Sequence, residues 1–232
     1  MRIVIAGGHG KVALRLERML AARGDTVAGL IRDPAQAADL RGVGAEPVAC
    51  DLEAVPADAV ATHLAGADAV VFAAGAGPGS GIPRKDAVDR AAAGVLADAA
   101  QRAGVRRYVL ISSMGAGAPP PPGTDEVFAA YLRAKRAAED DLRARDLDWT
   151  VLRPGRLTDD PGRGTVRLAG SVPRGAVSRD DVAAVLAALL DEPGSVGRTF
   201  EVVGGDTPVA EAVAAALAGA LGKKSDNRRD ER

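Results

Sequence analysis

Short apolar runs alternate with longer amphipathic stretches along most of the chain, and this alternation restricts the fold more than any other feature. Ile3, Val4, Ile5 and Ala6 form a continuous apolar run closed by Gly7 and Gly8, and 11–22 then carries Val12, Leu14, Leu16, Met19 and Leu20 at helical spacing. Further strand-like runs fall at 26–31, 47–49, 69–74, 106–111, 149–152 and 199–203, with helical patterns at 34–40, 57–64, 85–102, 125–145 and 179–190 between them. Runs apolar on both faces belong to a parallel sheet covered by helices. Seven strand signals with intervening helices predict an α/β fold: a doubly wound, mainly parallel seven-stranded sheet with helices on both faces.

Pro119 to Pro122 lack amide hydrogens, so the segment 115–123 reads as a loop over the carboxyl edge of the sheet. The segment 156–175 is rich in Gly, Pro and Arg, holds a possible short strand at 165–168, and follows the sixth strand. It is the candidate for a small substrate cap. The chain then divides into one domain, 1–221, and a polar, disordered tail, 222–232. A chain of 232 residues buries a sufficient core without disulfides or a structural metal, and its single cysteine, Cys50, forms neither a bridge nor a zinc site. A reducing, cytoplasmic compartment follows as the expectation. With 30 basic against 31 acidic residues and three Phe, two Tyr and one Trp, the chain has no basic excess and little stacking surface, which argues against nucleic acid. The first apolar run is too short for a signal or a membrane span. No histidine pair or carboxylate cluster has metal-ligand spacing.

Gly8-His9-Gly10-Lys11-Val12-Ala13 fits G-x-G-x-x-A between the first strand and the first helix, and Gly7, Gly10 and Ala13 fit its three-spaced variant. Glycine lets the chain turn sharply and approach a pyrophosphate, and a small residue at Ala13 lets helix and strand pack. Gly7, His9, Gly10, Lys11 and Val12 are the expected phosphate contacts of a dinucleotide in this Rossmann-type arrangement. Arg32 ends the second strand, where a guanidinium favours a 2′-phosphate and hence NADP(H) over NAD(H). Asp33 beside it reads as the cap of the next helix or as a ribose ligand for NAD(H).

Taken in order, Ala6 to Gly10, Arg32, Cys50-Asp51-Leu52, Phe72-Ala73-Ala74-Gly75, Ile111-Ser112-Ser113, Tyr131-x-x-x-Lys135, Leu152 to Gly155 and Ser178 to Ala183 resemble the short-chain dehydrogenase/reductase superfamily. The resemblance is to its atypical, single-domain, NmrA-like branch and runs from Arg2 to about Leu221. It implies that Asp51 and Leu52 lie against the adenine, Ala73, Ala74 and Gly75 under the ribose, Ser112 against the cofactor, and Pro154 and Gly155 beside the nicotinamide. It also gives Ser113 the role of orienting a substrate carbonyl.

Tyr131 and Lys135 stand four apart and so share a helix face. An ammonium beside a phenol favours the ionised phenol, as a general acid or base requires. Lys135 would also hold the nicotinamide ribose. Asp89 stands about where the family places an asparagine. Asp180 and Asp181 read as caps of the helix at 179–190, Cys50 as a buried hydrophobe, and Arg153 and its neighbours as solvated charges or contacts for an anionic substrate. The expected function is an NADP(H)-dependent oxidoreductase acting on a small carbonyl or alcohol, with Ser113, Tyr131 and Lys135 catalytic, as a monomer or homodimer. The alternatives are a non-catalytic NADP(H) sensor and an NAD(P)-dependent epimerase or dehydratase.

Overall fold

The computed structural model describes residues 1–77 and 79–226, from 220 on by backbone only. Its first strand, β1 (Arg2–Ala6), lies between β2 (Thr26–Ile31) and β4 (Ala69–Phe72), with Ile3 opposite both Val27 and Ala69. β3 (Glu46–Ala49) extends the sheet beyond β2, and β5 (Arg107–Ile111), β6 (Asp148–Pro154) and β10 (Arg198–Gly204) extend it beyond β4. These seven strands are parallel, as expected.

The sheet is nonetheless nine-stranded. β8 (Thr165–Ala169) pairs antiparallel with β10, and the two-residue β11 (Thr207–Pro208) pairs with β8. Within the expected cap at 156–175, Thr165–Ala169 is thus a strand near the edge of the sheet. The cap's remaining strand, β7 (Arg156–Thr158), pairs with β9 (Ala176–Ser178) in a separate two-stranded ribbon.

Side chains alternate across the pleat and divide the core in two. Ile3 and Ile5 face α1 (Lys11–Ala22) and α7 (Arg179–Leu190), whereas Val4 and Ala6 face α3 (Ala57–Leu64) and α5 (Ala92–Ala103). The helix expected at 85–102 starts earlier, with α4 (Ile82–Arg84), and passes through a π-helical stretch, Lys85–Ala91, before α5. Between the second and third strands, a 3-10 turn at Pro34–Gln36 leads into α2 (Ala37–Gly42). On the far side, α6 (Glu126–Arg143) is capped by Asp125, whose carboxylate accepts from the Phe128 amide. A closing helix, α8 (Val209–Asp226), reaches into the stretch 222–232 expected to be a disordered tail; residues 227–232 lie outside the described residues.

Asp180 and Asp181 do not cap α7. Ser178 does, accepting from the Asp181 amide, while the two carboxylates accept from Gly162, Arg163 and Gly164 amides and hold that loop to the helix. Among the described residues, no helix is long and apolar enough to cross a membrane.

Candidate functional site

Strand order reverses on either side of β1, which opens a crevice at the carboxyl ends of β1 and β4. A cavity of about 820 Å³ occupies it. The turn after β1 forms its floor. Gly7 has φ +77°, and a methyl there would stand 2.6 Å from Ala74 Cα. A methyl on Gly10 would stand 3.0 Å from the Gly7 carbonyl oxygen. The first helical bond of α1 runs from Leu14 to Gly10, and no side chain caps the helix. The Lys11, Val12 and Ala13 amides thus have no acceptor within the helix, which suits an anion.

Of the residues singled out in the sequence, Gly7, His9, Gly10, Lys11, Val12, Arg32, Asp51, Leu52, Ala73, Ala74, Gly75, Ser112, Tyr131 and Lys135 line this one cavity. Pro154, Gly155 and Ser113 do not. Gly155 packs on the backbone of Gly175, where a Cβ would lie 2.3 Å from the carbonyl oxygen. Ser113 Oγ makes a long bond of 3.4 Å to the Met114 carbonyl. Ser112 faces the cavity, but its hydroxyl donates to Glu139 Oε1 at 2.5 Å. Arg153 donates to the same fully buried carboxylate through Nε at 2.9 Å and Nη2 at 2.5 Å, so it is no substrate contact. Burial pushes Glu139 up, but the bonds from Arg153 and Ser112 outweigh it and hold the carboxyl below its ordinary range. These three bonds fasten the ends of β5 and β6 to α6, the helix that carries Tyr131.

Several polar groups at or beside the wall have partners of their own. His9 Nε2 lies 2.7 Å from Asp39 Oδ2, and Lys11 donates to Asp159 at 2.6 Å. Asp33 accepts from the Ala35 amide at 2.9 Å, the capping role among its two expected ones. Cys50 is a free, buried thiol pushed up by burial.

At the opposite end of the cavity the Tyr131 ring stacks on Phe128, centroids 5.9 Å apart at 28°. Two ammonium groups flank it: Lys85 Nζ at 5.3 Å and Lys135 Nζ at 5.9 Å from the ring centroid. Lys135 is 3% exposed and donates to the Ile111 carbonyl at 3.0 Å. Its Nζ also stands 3.2 Å from Asp89 Oδ1, near enough for an ion pair though out of line for a hydrogen bond. Asp89 is fully buried, and its Oδ2 accepts from the Ala76 amide at 3.3 Å. Lys85 donates to the Gly77 carbonyl at 2.7 Å. Both Lys85 and Asp89 lie in the π-helical stretch, a distortion that recurs at functional sites.

A protein-family model described as NAD(P)H-binding matches residues 7–193. The chain belongs to this NAD(P)H-binding family. Within it, the chain is 36% identical to a Bacillus subtilis (strain 168) protein named as an uncharacterised sugar epimerase, YhfK, over 92% of this chain and 99% of the relative. A solved Bacillus halodurans structure, assigned by name to the NAD-dependent epimerase/dehydratases, superposes with a TM-score of 0.86 at 35% identity, covering 93% of this chain and 99% of the other. ChuY, an anaerobillin reductase from Escherichia coli O157:H7, superposes at 0.74 and 26% identity, covering 89% and 98%. The chain is thus of the atypical short-chain dehydrogenase/reductase kind, in a family of NAD(P)H-binding oxidoreductase-like and epimerase-like proteins.

An NAD(P)H-binding chain of this fold carries wall residues that the sequence motifs did not bring forward: Glu53, Arg84, Lys85, Val127 and Phe128. Phe128 is exposed at the mouth despite its size. Their signal was weak, because none of them belongs to a spaced motif. Among the described residues no cluster of three or more His, Cys, Asp or Glu is placed to hold a metal.

Proposed function

We propose that the protein is an NADP(H)-dependent oxidoreductase that interconverts a small carbonyl compound and its alcohol. One observation carries the reading: the glycine turn with its unpaired helix amides and the Tyr131–Lys135 face of α6 line the same cavity. The glycine cradle fits a pyrophosphate, because Gly7 and Gly10 let the turn pack directly on Ala74 and on itself and leave the first-turn amides of α1 open to the cavity. Gly7, Gly10 and the first turn of α1 would hold the phosphates, Asp51 and Leu52 would flank the adenine, and Arg32 would meet a 2′-phosphate. The nicotinamide, when bound, supplies or accepts the hydride.

The chain's own residues then handle orientation and the proton. Tyr131 gives its phenolic proton to the carbonyl oxygen in reduction and takes it back in oxidation. Lys135 is a positioning group, with Asp89 holding its ammonium against the Ile111 carbonyl at the end of β5. Val127 and Phe128 give the mouth an apolar wall for the carbon skeleton of a substrate. The Ser113 hydroxyl is turned to the Met114 carbonyl, and the proton transfer proposed for Tyr131 does not require it.

A second reading, cofactor binding without turnover, draws on the same geometry: Lys135 is committed to Asp89 and Ser113 lies off the cavity wall. Substitution separates the two. Tyr131→Phe is expected to cut NADPH-dependent reduction of a carbonyl panel by about a hundredfold or more while NADPH affinity stays within about twofold. Normal turnover in the variant would remove Tyr131 from the mechanism, and saturable NADPH binding with no turnover by the wild type would favour the sensor.

A further inference from the structure

Arg32, Glu53 and Arg84 come from three separate segments and meet on the cavity wall beyond β2 and β3. Arg32 Nη1 donates to Glu53 Oε1 at 3.3 Å. From the other side Arg84 donates through Nη2 to Oε1 at 2.9 Å and through Nη1 to Oε2 at 3.2 Å. A single carboxylate therefore stands between two guanidinium groups, both aimed at one point on the wall. We propose that Arg84 joins Arg32 as a second ligand of a phosphomonoester on the adenosine ribose, and that Glu53 sets how strongly the site selects the phosphorylated cofactor. The proposal rests on the reading that this cavity takes a nicotinamide dinucleotide.

Three considerations lead to it. First, Arg32 and Arg84 keep 56% and 41% of their side-chain surface exposed, and Glu53 keeps 25%. Exposed pairs of this kind contribute little to stability, so the arginines can exchange Glu53 for a better anion at little cost. A phosphomonoester, with about two negative charges and three acceptor oxygens, is such an anion, and guanidinium forks match it in geometry. Second, the neighbouring carboxylate that would favour an unphosphorylated ribose, Asp33, accepts from the Ala35 amide and is turned away from that task. Third, Arg84 sits at the end of α4, immediately before the π-helical stretch that carries Lys85 and Asp89 to the other end of the cavity. A contact from Arg84 to the bound nucleotide thus bears on the segment that packs against Tyr131 and Lys135.

Glu53 then has a definite sign. It pairs with both arginines, and its charge repels a phosphate that enters between them. The carboxylate lowers selectivity for the phosphorylated nucleotide, and the arginines raise it.

The test needs no substrate: titration calorimetry of the full chain with 2′,5′-ADP and with 5′-AMP, in wild type, Arg84→Ala, Arg32→Ala and Glu53→Gln. Wild type should prefer 2′,5′-ADP. Arg84→Ala and Arg32→Ala should each weaken 2′,5′-ADP by about tenfold or more and leave 5′-AMP within about twofold. Glu53→Gln should tighten 2′,5′-ADP several-fold, an effect a damaged fold does not produce. Unchanged 2′,5′-ADP affinity in Arg84→Ala, or equal losses for both probes, overturns the role of Arg84. Weaker 2′,5′-ADP binding in Glu53→Gln overturns the role of Glu53. In either case a normal NADPH titration of wild type leaves the cofactor reading standing, whereas failure of wild type to bind NADPH or either probe removes both.

Discussion

Gly7→Ala is expected to abolish measurable NADPH binding and to lower stability by about 2–4 kcal/mol. Gly7 combines φ +77° with contact on the next loop: an added methyl would lie 2.6 Å from Ala74 Cα and 2.8 Å from Ala74 N. These are backbone atoms, so the clash cannot be relieved by a rotamer change. Either the turn after β1 or the loop after β4 must move, and both line the cavity. Gly24→Ala is the control. Gly24 has φ +93°, and nothing lies within 4 Å of where its Cβ would stand. It should lose about 1 kcal/mol of stability through strain alone and keep full NADPH affinity. Thermal melts and fluorescence titrations of the two variants in parallel check the contrast, and comparable NADPH binding by both would refute the cradle.

The second large effect concerns Glu17, which lies on the buried side of α1 with 0% exposure and no hydrogen-bond partner for either oxygen. Its carboxyl rests against the backbone of Gly8 and Gly29, where a Cβ would stand 2.9 and 2.5 Å from Oε1. Burial pushes the group up to about 8. In the unfolded chain it returns to the ordinary carboxylate range, so between pH 4.5 and pH 8 the folded state binds the extra proton. Stability therefore falls as pH rises through this window, by about 1.4 kcal/mol per pH unit from this group alone. Glu17→Gln keeps the shape, has no proton to lose, and should flatten that slope. Near pH 5 variant and wild type should match within about 1 kcal/mol, and at pH 8 the variant should be the more stable by several kcal/mol. Urea unfolding of both proteins from pH 5 to pH 8 measures this; parallel profiles would contradict the account. Glu139 acts in the opposite sense and a different range. Held below its ordinary value, it stabilises the fold above that range, and its contribution is lost only as pH falls through it.

The parallel sheet was legible because each inner strand is apolar on both faces, as Ile3 to Ala6 are, and the helices between them show plain periodicity. The helices at 57–64 and 179–190 have the bounds their patterns predict. What escaped has physical reasons. β8 carries a recognisable strand signal, but its antiparallel pairing with β10 depends on contacts far apart in sequence, and β11 is only two residues long. α8 is rich in alanine, and of its residues 209–219 only Ala212 and Val213 are fully buried, so its apolar stripe is faint. The π-helical stretch packs on α6 through Lys85 against Tyr131 and Asp89 against Lys135, partners far off in sequence, and leaves no mark in the spacing.

In the site, spaced motifs were readable and lone charged residues were not. Glu17 stands with Ala13, Leu16 and Leu20, and Glu139 with Leu132, Lys135 and Leu142, on the buried stripes of their helices. A charge at such a position is the signal that marks them. Ser113 shows the converse, since a family motif places a residue in the chain but does not set its rotamer: its hydroxyl goes to the Met114 carbonyl instead of the cavity.

The central claim is that the cavity at the carboxyl ends of β1 and β4 binds NADP(H). It is tested most directly by titrating the full chain with NADPH and with NADH and following nicotinamide fluorescence. The account predicts saturable binding of one NADPH per chain, about tenfold or more tighter than NADH, with that preference lost in Arg32→Ala. Absence of saturable binding by either nucleotide would contradict it.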